Sequence, residues 1–287
     1  MDNKTVIIVG PGKVGSSLFL AMRQDSAYRV YLAGHKPLFP EFARLIPDGT
    51  YIELGKKMYV QNPDVLIFAV PDDAIKSAAE TLLPFCTSRS LAVHTSGALD
   101  SSQLEALKSR GVRTGSWHPL QTFSKAFLTE SIWRGISTTF EGDNEAEPFI
   151  RNLCGHLGCR LIRINRRQKL ALHIASVFSA NFLPALLSAG QSILQEEGFV
   201  PEQGKKLLLP LMRQSLKNVE ENPPEKALSG PLQRADIGTL QRHIEFLLQK
   251  NMAELAEVYR FLSKLLAEDM RFNINTREQV IQWLKKG

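Results

Sequence analysis

Four groups of residues in this 287-residue chain combine side-chain types that could do chemistry. The first is Gly10-Pro11-Gly12-Lys13-Val14-Gly15, a G-x-G-x-x-G that follows the apolar run Thr5–Val9 and opens an amphipathic stretch, Val14 to Met22. There Gly10 permits a tight turn, Gly12 lets the backbone approach a pyrophosphate, and Gly15 allows close helix–strand packing. The N–H groups at the helix start then face an anion. The second group sits where ligands bind in an open α/β sheet, outside the carboxyl ends of the strands. It comprises Val70-Pro71-Asp72, His94-Thr95-Ser96-Gly97 and His118-Pro119. Val70 and Pro71 are expected beside the cofactor. His94, Gly97 and His118 are expected at a substrate, with the Ser96 hydroxyl orienting it. Asp72 or Asp73 reads as a helix N-cap.

The third group is Lys169, His173, Ser176 and Asn181, at i, i+4, i+7 and i+12, a polar stripe on an otherwise apolar helix. A core-facing helix rarely buries such a stripe without a ligand or partner. Lys169 and His173 can each supply a proton, and Asn181 can orient a carbonyl or amide. A surface lysine beside hydrogen-bonded His and Asn is the alternative. The fourth group runs from Gly230 to Asp236 and continues to Thr239 and His243. Arg234 suits a substrate carboxylate. Asp236, Thr239 and His243 share one helix face, with Asp236 either a substrate contact or a cap.

The cofactor is narrowed by one absence. A turn that binds a ribose 2′-hydroxyl carries Asp or Glu about 20 residues after the glycines. This chain reads Ala33-Gly34-His35-Lys36 there. His35 and Lys36 can donate to a 2′-phosphate, which favours NADP over NAD.

These groups need a scaffold. Apolar runs at Thr5–Val9, Arg29–Ala33, Asp64–Val70, Ser90–His94 and Val112–Trp117 alternate with helical patterns, as a parallel α/β sheet should. A third strand within 50–60 is not legible. Asp100 with Gln103 suggests a capping box, closed by Gly111. Ile136–Phe140 and Arg160–Ile164 read as later strands around a helix starting near Asn144. After Asn165, which forms a second capping box with Gln168, strands vanish. A long helix bent at Pro184 is expected, then helices near Glu202–Asn218, Thr239–Lys250, Met252–Met270 and Thr276–Lys285. The stretch from Pro223 to Ala235 is the one long loop. The expected fold is therefore a Rossmann-like, doubly wound and mainly parallel α/β domain over 1–164, followed by an all-α substrate and dimerisation domain over 165–287.

Length suggests roughly two domains at about 150 residues each. The chain is 44% hydrophobic and 22% charged, which excludes a disordered or low-complexity class. The net charge of +6 comes from scattered Lys and Arg, suited to small anions and not to nucleic acid. Cys86, Cys154 and Cys159 are too few and unpaired for a disulfide framework. Cys154, His156 and Cys159 lack a fourth ligand at matching spacing, so no metal is expected. No signal segment precedes the first strand, and Ile174–Gly190 is too polar for a membrane span, so a cytoplasmic location is expected.

His94-Thr-Ser-Gly-Ala-Leu99, His118-Pro-Leu-Gln-Thr-Phe123 and Leu228-Ser-Gly-Pro-Leu-Gln-Arg-Ala-Asp236 together resemble a largely uncharacterised family that joins a Rossmann-like domain to a C-terminal domain of unknown function. The wider resemblance is to the superfamily of 6-phosphogluconate, 3-hydroxyisobutyrate, ketopantoate and pyrroline-5-carboxylate dehydrogenases and reductases. It covers nearly the whole chain. It implies an NADP-dependent oxidoreductase, with ketopantoate as a candidate substrate, and a homodimer formed through the helical domain. Relatives carry Lys-x-x-x-Asn on the long helix where this chain has Lys169-x-x-x-His173. The leading expectation is an NADPH-dependent reductase of a small 2-oxo or related carboxylate. An imine reductase of the pyrroline-5-carboxylate type and a non-catalytic NADP-binding regulator are the alternatives.

Overall fold

The computed structural model describes residues 3–38, 40–56, 60–124, 130–269, 274 and 277–286. The chain forms two compact units, Met1–Ala180 and Asn181–Gly287. This division falls later than residue 164, where strands give way to helices, because the first turns of the long helix stay with the sheet.

The first unit holds strands β1 (Lys4–Val9), β2 (Tyr28–Gly34), β3 (Tyr51–Glu53), β4 (Val65–Phe68), β5 (Leu91–His94), β6 (Arg113–Pro119), β7 (Ser137–Gly142) and β8 (Arg160–Arg163). Its helices are α1 (Lys13–Met22), α2 (Pro40–Ala43), α3 (Ile75–Leu82), α4 (Glu105–Lys108), α5 (Glu147–Leu157) and α6 (Arg166–Ser176). The strands form one sheet in the order β3-β2-β1-β4-β5-β6-β7-β8. The first six are parallel, in the order of a doubly wound dinucleotide-binding sheet. Strand β7 then runs antiparallel to β6, with β8 parallel to β7.

Both faces of the sheet are covered, which is why β1 reads as a continuous apolar run. Val6 and Ile8 pack with Leu18 and Phe19 of α1 and Ile150 and Leu153 of α5. Ile7 and Val9 pack on the other face with Ile75, Ala79 and Leu82 of α3. Each such buried side chain contributes about 1.5–3 kcal/mol.

The strand reversal at β7 has a functional result. Helices that follow the parallel strands run away from the carboxyl edge. Strand β8 ends at the opposite edge, so α6 starts there and climbs toward the carboxyl edge, carrying Lys169 and His173 with it. Asn165 anchors this start with the expected capping box: its side chain accepts from the Gln168 N–H at 2.9 Å, and Gln168 Oε1 accepts from the Asn165 N–H at 2.9 Å.

Several local expectations are corrected. Asp100 accepts from the Ser102 N–H at 2.9 Å, without a reciprocal Gln103 bond, and opens a 3₁₀ turn (Ser101–Leu104) before α4. Asp72 and Asp73 lie inside a 3₁₀ turn whose N-cap is Pro71, and neither side chain caps it. The long helix is interrupted by a π-helical turn, Val177–Asn181, and Pro184 falls in the first turn of the next helix, where a missing N–H costs nothing. The illegible third strand is only three residues long. Met270 and Thr276, expected helix ends, lie outside the described residues.

The second unit contains α7 (Leu183–Gln195), α8 (Pro201–Glu221), α9 (Pro224–Ala227), α10 (Ile237–Gln249), α11 (Ala253–Glu268) and α12 (Arg277–Lys286). The expected long loop thus holds the short α9. Leu232, Leu240, Ala267, Ile274 and Val280 form its core. Helices α7 and α8 approach closely, since a Cβ on Gly190 would come within 2.8 Å of a Leu208 methyl. Leu186, Leu211 and Leu216 on this pair are exposed. Among the described residues one helical run, Arg166–Gln195, is long and apolar enough to cross a membrane. Its first turns are tied to the sheet unit by Lys169, described next.

Candidate active site

The turn after β1 leaves a specific space. Gly10 has φ +107°, and a Cβ there would meet the Ala69 carbonyl at 2.4 Å, while one on Gly15 would meet the Gly10 carbonyl at 2.0 Å. Both positions exclude any side chain. Gly12 differs: nothing lies within 4 Å of its missing Cβ. It N-caps α1 with no side-chain hydrogen bond, so the first-turn N–H groups are left for a ligand. Val70 walls the turn, its Cγ1 lying 2.9 Å from a Cβ built on Gly10. Pro71, Lys13, His35 and Lys36 are exposed, and Val14 is half-buried. Pro11 packs against the end of β2, within 2.9 Å of a Cβ built on Gly34. The Tyr51 hydroxyl donates to the Lys36 carbonyl and fixes the turn that presents His35 and Lys36. Glu53, the acid beside Gly34 on the next strand, is paired with Lys56 at 2.7 Å. The residues therefore fit a dinucleotide with a 2′-phosphate.

The loop after β5 is built differently. His94 is fully buried. Its Nδ1 accepts from the Ser96 N–H at 3.3 Å, which makes Nε2 the protonated nitrogen, donating to the Asp100 carbonyl at 2.9 Å. Burial pushes the imidazole down to about 4, with Lys169 adding to the effect. The expected substrate role of His94 is corrected: both ring nitrogens are used to hold the loop. Ser96 is corrected likewise. Its Oγ accepts from the N–H groups of Ala98 and Leu99 at 3.2 and 3.0 Å and so shapes the turn.

What Ser96 offers is its carbonyl, which accepts from Lys169 Nζ at 2.6 Å. Lys169 is 2% exposed. Burial lowers its ammonium to about 8, against the pull of Glu141, Asp72 and Asp100. The neighbouring His118 is also pushed down to about 4, by burial first and then by Lys169, His173 and His94. His118 and His173 meet edge to face with ring centroids 6.4 Å apart. A Cβ on Gly97 would lie 2.7 Å from His173 Nδ1 and 2.8 Å from His118 Nε2, so two imidazoles converge over a position that only glycine can fill. A buried ammonium thus sits beside paired imidazoles at the carboxyl edge that also carries the glycine turn. Such a group, with its proton affinity near neutral pH, is suited to proton donation.

The remaining expected residues make local contacts of their own. The Ser176 hydroxyl bonds back to the Leu172 carbonyl at 2.8 Å. Asn181, Arg234 and Asp236 belong to the second unit. Asp236 is the N-cap of α10, accepting from the Thr239 N–H at 3.1 Å and hydroxyl at 2.8 Å, the capping role that its sequence position allowed. Arg234 is exposed, and His243 bonds the Tyr259 hydroxyl at 2.9 Å. The three cysteines are free and buried, and among the described residues no three His, Cys, Asp or Glu side chains group as metal ligands.

Three functional neighbours escaped sequence reasoning: Glu141, Asp72 as a charge near Lys169, and Tyr51. The signal for Glu141 was a lone acid following a buried strand. Tyr51 had none, because its strand is too short to show a pattern.

Residues 136–266 match a family model described as a domain of unknown function, DUF2520. No curated protein matches the chain. A Bacteroides fragilis protein assigned as an NADP oxidoreductase is 21% identical, with a TM-score of 0.73 over 92% of this chain and 97% of that one. Pyrroline carboxylate reductase of Plasmodium falciparum, solved with NADP bound, is 15% identical, with a TM-score of 0.58 over 92% and 99%. An imine reductase from Myxococcus stipitatus in complex with NADP+ is 16% identical, with a TM-score of 0.65 over 98% and 99%. The chain has the fold of these Rossmann-like NADP-binding oxidoreductases, a mostly parallel α/β unit followed by helices.

Proposed function

We propose that this protein is an NADPH-dependent oxidoreductase that reduces a small 2-oxo or related carboxylate. The observation that carries the reading is Lys169: a buried ammonium on the Ser96 carbonyl, flanked by His118 and His173, on the sheet edge that bears the open Gly12 turn. Gly10 to Gly15 would hold the pyrophosphate, His35 and Lys36 the 2′-phosphate, with Val70 and Pro71 beside them. Hydride transfer to the carbonyl carbon is the chemistry a bound nicotinamide supplies. Lys169 delivers its proton to the developing alkoxide and keeps an N–H on Ser96. His118 and His173, aimed at one point over Gly97, orient the substrate oxygens.

A second reading is supported by the fold likeness to pyrroline carboxylate and imine reductases: a cyclic imine carboxylate as substrate. The two differ electrostatically. An iminium next to a protonated Lys169 is a like-charge pair, which disfavours it, whereas a neutral carbonyl gains from the same ammonium. Ketopantoate has no support from these neighbours. Oxidation of NADPH against matched panels of 2-oxo acids and cyclic imino acids decides. Turnover of a 2-oxo acid, falling as pH rises through about 8 with loss of the Lys169 proton, is expected. No turnover with either panel, despite NADPH binding, would leave the non-catalytic regulator.

We also propose that the exposed apolar face of α7 and α8 meets a second copy of the chain. Sedimentation should give a dimer, and Leu211→Glu should yield a monomer.

A further inference from the structure

We propose that Glu141 is the positioning residue of the Lys169 site, a buried carboxylate that clamps the loop on which Lys169 rests. Glu141 lies on β7, 7% exposed, in register with Ser116, which in turn pairs with His94. Its two oxygens accept from the Ser101 N–H at 2.8 Å and the Ser101 hydroxyl at 3.0 Å. Ser101 follows Asp100, whose carbonyl holds His94, and His94 holds the Ser96 N–H. The Ser96 carbonyl at the end of this chain receives Lys169. A second arm closes the circuit: Arg166, one helical turn before Lys169, lies 3.5 Å from Glu141 and 3.7 Å from Asp100. One carboxylate therefore fixes both partners of the Lys169 bond, the loop and the helix.

The same charge faces Lys169 and heads the influences that hold its proton, ahead of Asp72 and Asp100. The other groups turned toward Lys169 are His94 on β5, His118 on β6, and Arg166 and His173 on α6. The imidazoles of His94 and His118 are neutral at working pH, so Glu141 is the group whose removal should move it furthest.

The inference rests on the proposed reductase for its kinetics, but its test need not. In Glu141→Gln the amide oxygen can still accept from the Ser101 N–H while the charge is gone. Lys169 is buried from acylating reagents, so its titration is read by NMR of the labelled side-chain Cε, across pH, on the full chain. The expected result is a titration midpoint near 8 in the natural protein and about one pH unit lower in Glu141→Gln. The alkaline limb of the turnover profile should move by the same amount. A merely structural role would lower Tm and leave both midpoints in place. Unmoved midpoints in folded Glu141→Gln overturn the proposal. Should that variant not fold, Glu141→Asp retains the charge but withdraws it by one methylene. A smaller downward shift of Lys169 then supports the clamp, and none overturns it. NADPH binding, measured separately by calorimetry, distinguishes failure of the reductase reading, since the Lys169 titration needs no cofactor.

Discussion

The turn after β1 and the loop after β5 leave buried strands on either side of β4 at the same edge of the sheet, yet they solve their backbone problem in opposite ways. The first leaves the N–H groups of α1 uncapped and puts empty space over Gly12. The second satisfies itself: His94 and Ser96 spend their polar atoms on backbone partners, and only the Ser96 carbonyl reaches out, to Lys169. A turn made for a ligand is thus marked by what it lacks. A loop that seats a buried ammonium is marked by side chains whose polar atoms serve its own backbone.

The comparison breaks most severely at Gly12. Its missing Cβ meets no protein atom, so Gly12→Val should fold normally and lose NADPH binding altogether by calorimetry. Normal NADPH affinity in the folded variant would mean the open turn serves nothing. On the other loop, Lys169→Ala should cut turnover by about two to four powers of ten, the usual share of a positioned general acid, with NADPH affinity little changed. His173→Ala sharpens this result. A comparable loss would make the two a unit, and a small one would leave Lys169 as the donor.

A third effect is on stability. His94 and His118 have folded values near 4, below the ordinary 6.5, so the unfolded chain binds more protons between those pH values. Stability should be intact above pH 6.5 and decline as pH falls toward 4, by about 3 kcal/mol for the fully buried His94. Urea midpoints across that range measure it. In His94→Gln the slope should flatten, and an unchanged slope would deny His94 its neutral structural role. The smallest effect is expected at Lys36. Lys36→Ala should weaken NADPH by about tenfold or more, as loss of a charge-assisted hydrogen bond does, and leave NADH nearly unchanged.

The same contrast explains what could be read in the sequence. The glycine motif was legible because Gly10 and Gly15 leave room for no side chain, and Gly12 at its fixed spacing between them marks the open space over the turn. The strands β1, β4 and β5 were legible because burial on both faces requires unbroken apolar runs. Lys169, His173, His118 and Gly97 stood out as chemically able residues and do meet. His94 and Ser96 misled because a histidine and a serine look the same in sequence whether they serve a loop or a substrate. Glu141 was hidden because its meaning depends on Ser101, 40 residues away and two strands across. The long helix is interrupted not at Pro184 but at the π-helical turn just before it, since proline marks where a helix can start as readily as where one breaks.

Tyr51 carries a lesson for anyone wishing to exchange the cofactor. Its hydroxyl holds the Lys36 carbonyl and would stand 2.6 Å from a Cβ on Gly34, so the backbone that presents His35 and Lys36 is moulded from the neighbouring strand. Replacing His35 and Lys36 with acids alters the charge but leaves that mould in place. A redesign toward a 2′-hydroxyl should therefore vary Tyr51 and Gly34 together with the two exposed residues, treating the turn and its edge strand as a single inherited module.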